Sequence, residues 1–199
     1  MFLPRLIAST TILALLLSLG SCAGYKVHQV QVKPPEQYDS SASDESLYAA
    51  VDPLDNEQKV RGIFNTDLNK AGFLAVNVII RNDSNEPFQI DKKQIYLVDR
   101  NGIQVLPTNA EQMIQSAGTS IAKWYLISGI IGGISASRAK KKMRDDFINK
   151  ELTDQVIPSG VAIFGFLYYQ HIVDEQGAKE YKIIIGNSTA GKPLEVLIN

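Results

Sequence analysis

The chain has 199 residues, enough for one domain with a true core plus accessory segments. Lys and Arg number 20 against 21 Asp and Glu, a net charge of −1, so no global field draws the protein to nucleic acid. A single cysteine excludes an intrachain disulfide, and the two histidines, His28 and His171, give zinc no evident site.

Residues 1–21 have the shape of an export signal. Arg5 is the only charge beside an apolar run from Leu6 to Leu19, which is too short for a stable span and ends at the small pair Gly20-Ser21. Leu19-Gly20-Ser21-Cys22 resembles the lipobox of bacterial lipoproteins. That resemblance implies that a signal peptidase recognises Leu19, Gly20 and Ser21, cuts ahead of Cys22 and leaves a diacylated Cys22 as the first mature residue. The covalent lipid on Cys22 is the only cofactor-like group expected. At about 0.8 kcal/mol per buried methylene, two or three acyl chains give durable attachment where one does not. Ala23, in place of the Asp that retains some relatives, implies in Gram-negative members an outer-membrane protein facing the periplasm. The bland alternative for Cys22 is a buried thiol in an uncut anchor.

Beyond the anchor, "KPPEQYDSSASDESLYAAVDPLDNEQ", from Lys33 to Gln58, mixes Pro, Ser and acids with few large apolar side chains. This composition predicts a flexible tether on the order of 30 Å in reach, which together with the lipidated N-terminus that the resemblance implies covers 22–58. A long loop lying on the domain is the alternative, and Tyr25 to Val32 reads either as a strand or as the tether's beginning.

From Lys59 onward the pattern is β, giving a domain over 59–199. In "GFLAVNVIIRN", Leu74, Val76, Val78 and Ile80 share one face of an extended chain, with Asn77 and Arg81 on the other, so one face is committed to a core. Asn82 to Pro87 supplies turn chemistry. "QIYLVD" and "IQVL" flank the hairpin turn Arg100-Asn101-Gly102, and "GVAIFGFLYYQ", "YKIII" and "LEVLI" add three strands. Phe164, Phe166, Tyr168 and Tyr169 read as core on one side of their strand and a half-exposed Tyr on the other.

The strands in "NVIIRNDSNEPFQI", "IYLVDRNGIQVL" and "VIPSGVAIFGFLYY" resemble immunoglobulin-like domains of exported bacterial proteins of uncharacterised families. The fold this implies is mainly β, an Ig-like antiparallel β-sandwich, without the Cys…Trp…Cys core of antibody domains. A helical segment over 109–152 interrupts it. Asn109 with Gln112 makes a box-like start, and Ser120 or Ser137 are later candidate caps.

Within this insert, Trp124 to Ala136 carries no charge, and Gly129, Gly133 and Ser137 recur every four residues as a smooth ridge. Arg138, Lys140, Lys141, Lys142 and Arg144 follow. Three readings stay open: a buried hairpin capping the open end of the sandwich, an interfacial helix with Trp124, Tyr125 and the cations among anionic headgroups, and a helix-packing site for another copy or an envelope partner.

Catalysis is poorly supported. No HExxH, Cys-x-x-Cys, calcium loop, nucleophile elbow or phosphate loop is present, and Asp145-Asp146 is accounted for by solvation beside five cations. The expectation is a non-enzymatic, lipid-anchored envelope protein with no metal, acting as an interaction or scaffolding module through the insert. The alternative is a small-ligand or lipid-binding domain in which the helix closes an apolar pocket between the sheets.

Overall fold

The computed structural model describes residues 25–117, 134–170, 180–186 and 192–198. The apolar run around Val76 forms β3, Phe73–Asn82, the longest strand described. β3 pairs antiparallel on one side with β2, Leu47–Pro53, and on the other with β8, Ala162–Gln170; β1, Ser41–Ser43, extends the sheet beyond β2. A second antiparallel sheet joins β5 (Ile95–Val98), β6 (Gln104–Val105), β9 (Lys182–Ile185) and β10 (Leu194–Leu197) in the order β10-β9-β5-β6. A short ribbon pairs β4, Phe88–Ile90, with β7, Gln155–Ile157. β2-β3-β8 of the first sheet and β10-β9-β5-β6 of the second follow the A-B-E and G-F-C-C′ strand orders of an immunoglobulin-like sandwich, with β1 added at the edge of the first.

The core lies between these sheets, where Leu74, Val76, Val78 and Ile80 of β3 meet residues such as Ile95, Leu97, Ile183 and Ile185. That face is the one the alternation predicts. The hairpin is also as predicted: Asp99 Oδ1 accepts from the N–H groups of Asn101 and Ile103, both at 2.8 Å, and Gly102 takes φ 80°. Asn82 closes the turn after β3, its amide donating to the carbonyls of Glu86 at 2.7 Å and Ile157 at 2.9 Å.

The second face of β3 departs from expectation, because it is buried too. Phe73 and Ala75 of β3 and Phe166 and Tyr168 of β8 make an apolar outer surface that helices cover. These are α1, Glu57–Phe64, α2, Ala110–Ser116, and α3, Ile134–Lys150. Phe64 stacks on Phe147 at 4.4 Å between ring centroids and meets Phe166 edge-on at 5.0 Å, contacts worth about 0.5–1.5 kcal/mol each beyond simple burial. Tyr168 and Tyr169 are both fully buried, one on each face, and Phe164 is the half-exposed aromatic of that strand. The molecule therefore has three layers: helices, first sheet, second sheet.

Two boundaries change accordingly. The expected tether over 22–58 contains β1 and β2, and the line between 58 and 59 falls inside α1, which Asn56 caps through its side chain to the Lys59 N–H at 3.0 Å. Leu47, Ala49 and Val51 are buried against the core, so this stretch obtains from its neighbours the burial that its composition does not advertise. Residues 25–40 lie along the domain without forming a long strand. Glu36 pairs with Arg81 at 2.9 Å, and His28 Nε2 lies 3.0 Å from Asn65 Oδ1.

The insert begins as predicted, with Asn109 Oδ1 accepting from the Gln112 N–H at 2.8 Å. Its described parts neither cap an open end nor close a pocket between the sheets. They lie on the outer face of the first sheet, where the aromatic side chains of β8 need cover. Ser137 is an interior, exposed position of α3 and not a cap.

Candidate functional site

Along α3, Ala139, Met143 and Phe147 turn toward the sheet, while Arg138, Lys142, Asp146 and Lys150 fall at four-residue intervals and form one row. The two halves of this row differ in environment. Asp146 is buried, and Lys150 Nζ donates to both of its carboxylate oxygens at 2.7 Å and to the Ile63 carbonyl at 3.2 Å. The ammonium also sits 5.2 Å from the centre of the Phe64 ring. The second carboxylate partner comes from the start of the described chain: Tyr25 Oη donates to Asp146 Oδ2 at 2.7 Å. Asn65, the left-handed C-cap of α1, holds the next turn of backbone through its side-chain amide to the Lys26 carbonyl.

Toward the start of α3, Arg138, Lys140, Lys141 and Lys142 are exposed. Arg144 is committed elsewhere. It makes an ion pair with Glu111 of α2 at 2.8 Å, and that carboxylate raises the guanidinium further above its ordinary range. Asp145, three residues after Lys142 and on that side of α3, reaches to 3.9 Å from Arg144. Of the five predicted headgroup cations, four thus stay directed to solvent and one ties α2 to α3. Asp146, read from the sequence as solvated, is instead the buried centre of a latch.

Cys22, Leu19, Gly20, Ser21, Trp124, Tyr125, Gly129 and Gly133 lie outside the described residues. Among the described residues no group of three His, Cys, Asp or Glu side chains could hold a metal ion, and no helix is long and apolar enough to cross a membrane. One open groove of about 280 Å³, bordered by Lys33, Tyr38, Asp52, Asp55 and Lys59, is polar and lies away from the insert. Lys59 reaches Asp52 at 3.4 Å and Asp55 at 3.5 Å across it.

A second junction supports the insert from below. Glu151 accepts from the Ala110 N–H at 3.0 Å and pairs with Lys92, linking the end of α3 to the start of α2 and to the approach to β5. Leu152 then crosses β8, its N–H donating to the Phe166 carbonyl at 2.9 Å.

These features define a mainly-β sandwich domain carrying a helical layer on one sheet. No family model matches the chain, and no curated protein matches its sequence. Among solved structures, the yjhA protein of Bacillus subtilis is similar at 13% identity and a TM-score of 0.42, over 81% of this chain and 98% of that one. The ycdA protein of the same organism, provisionally named a lipoprotein, is similar at 12% identity and a TM-score of 0.43, over 79% of this chain and 36% of that one. A functionally unknown protein from Listeria monocytogenes is similar at 13% identity and a TM-score of 0.36, over 79% and 80% of the two chains.

Proposed function

We propose that the protein is a lipid-anchored cell-envelope module that acts by binding and not by catalysis. It is held in the membrane by acyl chains on Cys22, faces the periplasm from the outer membrane, and uses the helical layer as its contact element. The observation that carries this reading is the lipobox-like Leu19-Gly20-Ser21-Cys22, whose cysteine stands three residues before Tyr25, the first buried residue described. Anchor and folded domain are therefore nearly contiguous in the chain. The helical layer supports the binding role, since its solvent side presents charged side chains and its inner side is used up in packing.

The test is metabolic labelling with a palmitate analogue in cells expressing the native chain or Cys22→Ser. The native chain is expected to carry label and to fractionate with membranes, and the variant to be unlabelled and released into the soluble envelope fraction. Label retained by Cys22→Ser, or an intact leader on the native protein by mass, would overturn the reading.

A further inference from the structure

A flexible tether would let the anchored domain tumble above the bilayer, but the chain is pinned almost at once. Tyr25 is fixed on Asp146 of α3. Three residues span at most about 10 Å even when fully extended, so the lipid on Cys22 cannot enter the membrane far from that point. Along the same row of α3, Lys142 lies one turn and Arg138 two turns from Asp146, about 6 and 12 Å along the axis. Both are exposed, and Lys140 and Lys141 stand between them in sequence, exposed as well. At physiological salt the screening length is about 8 Å, so a bilayer entered beside Tyr25 lies within electrostatic reach of this row.

Charge on neighbouring elements is arranged so that the row stays basic. Lys150 and the Tyr25 hydroxyl satisfy Asp146, Glu111 engages Arg144 on another flank, and the one carboxylate beside the row, Asp145, three residues after Lys142, is outnumbered by the four cations Arg138, Lys140, Lys141 and Lys142. We infer that the Tyr25–Asp146 latch seats the domain with its helical layer against the bilayer and presents Arg138 and Lys142, with Lys140 and Lys141, to anionic phospholipid headgroups. This rests on the proposed acylation of Cys22. The occupant follows from where the chain enters the domain and from charge complementarity: each cation near an anionic surface strengthens attachment about fivefold. The opposite sheet is then turned toward the envelope space.

The experiment uses the lipidated chain, whose blocked Cys22 leaves one introduced thiol as the only label site. Asn149→Cys reports from the same side of α3 as Lys142, seven residues away, and Glu195→Cys reports from the exposed face of β10 in the far sheet. Each is labelled with a fluorophore and reconstituted into phosphatidylcholine vesicles, with or without one-third phosphatidylglycerol and with a headgroup-attached nitroxide quencher. Quenching at Asn149→Cys is expected to exceed that at Glu195→Cys severalfold with phosphatidylglycerol present. The difference should shrink at least twofold with Arg138→Glu/Lys142→Glu, with Tyr25→Ala, or in 0.5 M salt. Equal quenching at both sites in a chain whose mass confirms the lipid would overturn the orientation alone. An unmodified Cys22 would overturn the anchor, and the orientation with it.

Discussion

The hydroxyl of Tyr25 donates to Asp146 at 2.7 Å, joining positions 121 residues apart in the chain. This bond, with the Lys150 pair behind it, fixes the entry of the chain to the helical layer rather than to the sandwich core. A hydrogen bond to a charged group is worth about 1.5–3 kcal/mol, whereas full burial of an aromatic ring adds roughly 1.5–3 kcal/mol more. Tyr25→Phe, which keeps the ring, should therefore lower the stability of the folded domain by about 2 kcal/mol, and Tyr25→Ala by about twice that. Urea denaturation midpoints measure both. An unchanged midpoint for Tyr25→Phe would mean that the hydroxyl contributes nothing.

Asp146 and Lys150 should behave as one unit. Each has a side chain almost out of solvent, at 2% and 10% exposure, so removing one partner leaves a charge in an apolar setting. Asp146→Asn or Lys150→Met is expected to cost about 3–5 kcal/mol, and the double variant less than the sum, as for buried pairs generally. A double-mutant cycle gives the coupling, and strict additivity would contradict the pairing.

Much of this architecture is readable from local pattern. The alternation at Leu74, Val76, Val78 and Ile80 identifies the core face of β3 because side chains on a strand repeat every two residues. Asn109 and the Arg100-Asn101-Gly102 turn are legible because capping and turn chemistry act within four residues. β2 is hidden, since "LYAAVDP" offers small side chains and a terminal Pro, and it is a strand because β3 supplies a template across its full length. The latch is hidden for a different reason. Asp146 and Lys150 have the i,i+4 spacing of any solvent-exposed pair, and nothing local signals that Tyr25 arrives to bury them.

Gly165 marks where the chain leaving α3 crosses the first sheet. A Cβ there would lie 2.6 Å from the Leu152 Cα and 2.7 Å from its nitrogen, both backbone atoms that cannot swing aside. Gly165→Ala should push Leu152 off β8 and cost about 1–3 kcal/mol, the range for overpacking a filled site. Thermal unfolding measures the loss, and protection of the Leu152 amide against hydrogen exchange should fall in parallel. An unchanged melting temperature would show that this crossing is not tightly held.

Asn82 works as a side-chain brace at the end of β3. Fully buried, it donates to two carbonyls from separate segments, and its Oδ1 accepts from the N–H and hydroxyl of Ser84. Asn82→Ala removes these bonds; Ser84 still donates through its hydroxyl to the Glu86 carbonyl at 2.8 Å and through its N–H to the Ser46 carbonyl at 3.1 Å, so the loss falls chiefly on the Ile157 carbonyl and about 1–3 kcal/mol of destabilisation is expected. Asn82→Asp should be no better, because a carboxylate cannot donate to the Glu86 and Ile157 carbonyls. A stable Asp variant would argue against that brace.

Tyr169 faces the core between the sheets, and its hydroxyl has no hydrogen-bond partner among the described residues. Burial holds its phenol far above the ordinary range; Tyr168 is raised chiefly by burial as well, and then by the charges of Glu151 and Asp146. The direction of the pH effect follows from proton counting. Above about pH 10 an unfolded chain loses these protons while the native chain keeps them, so the native state binds more protons and stability falls as pH rises. Below that pH the contribution is intact. Denaturation midpoints should accordingly be flat with respect to these two groups up to about pH 9 and then decline by up to about 1.4 kcal/mol per pH unit for each tyrosine. Tyr169→Phe should remove one of the two slopes. At neutral pH the same substitution should leave stability equal or higher, because it deletes a hydroxyl that was buried without a partner. A loss of 1 kcal/mol or more at pH 7 would show instead that the Tyr169 hydroxyl is satisfied in the folded protein.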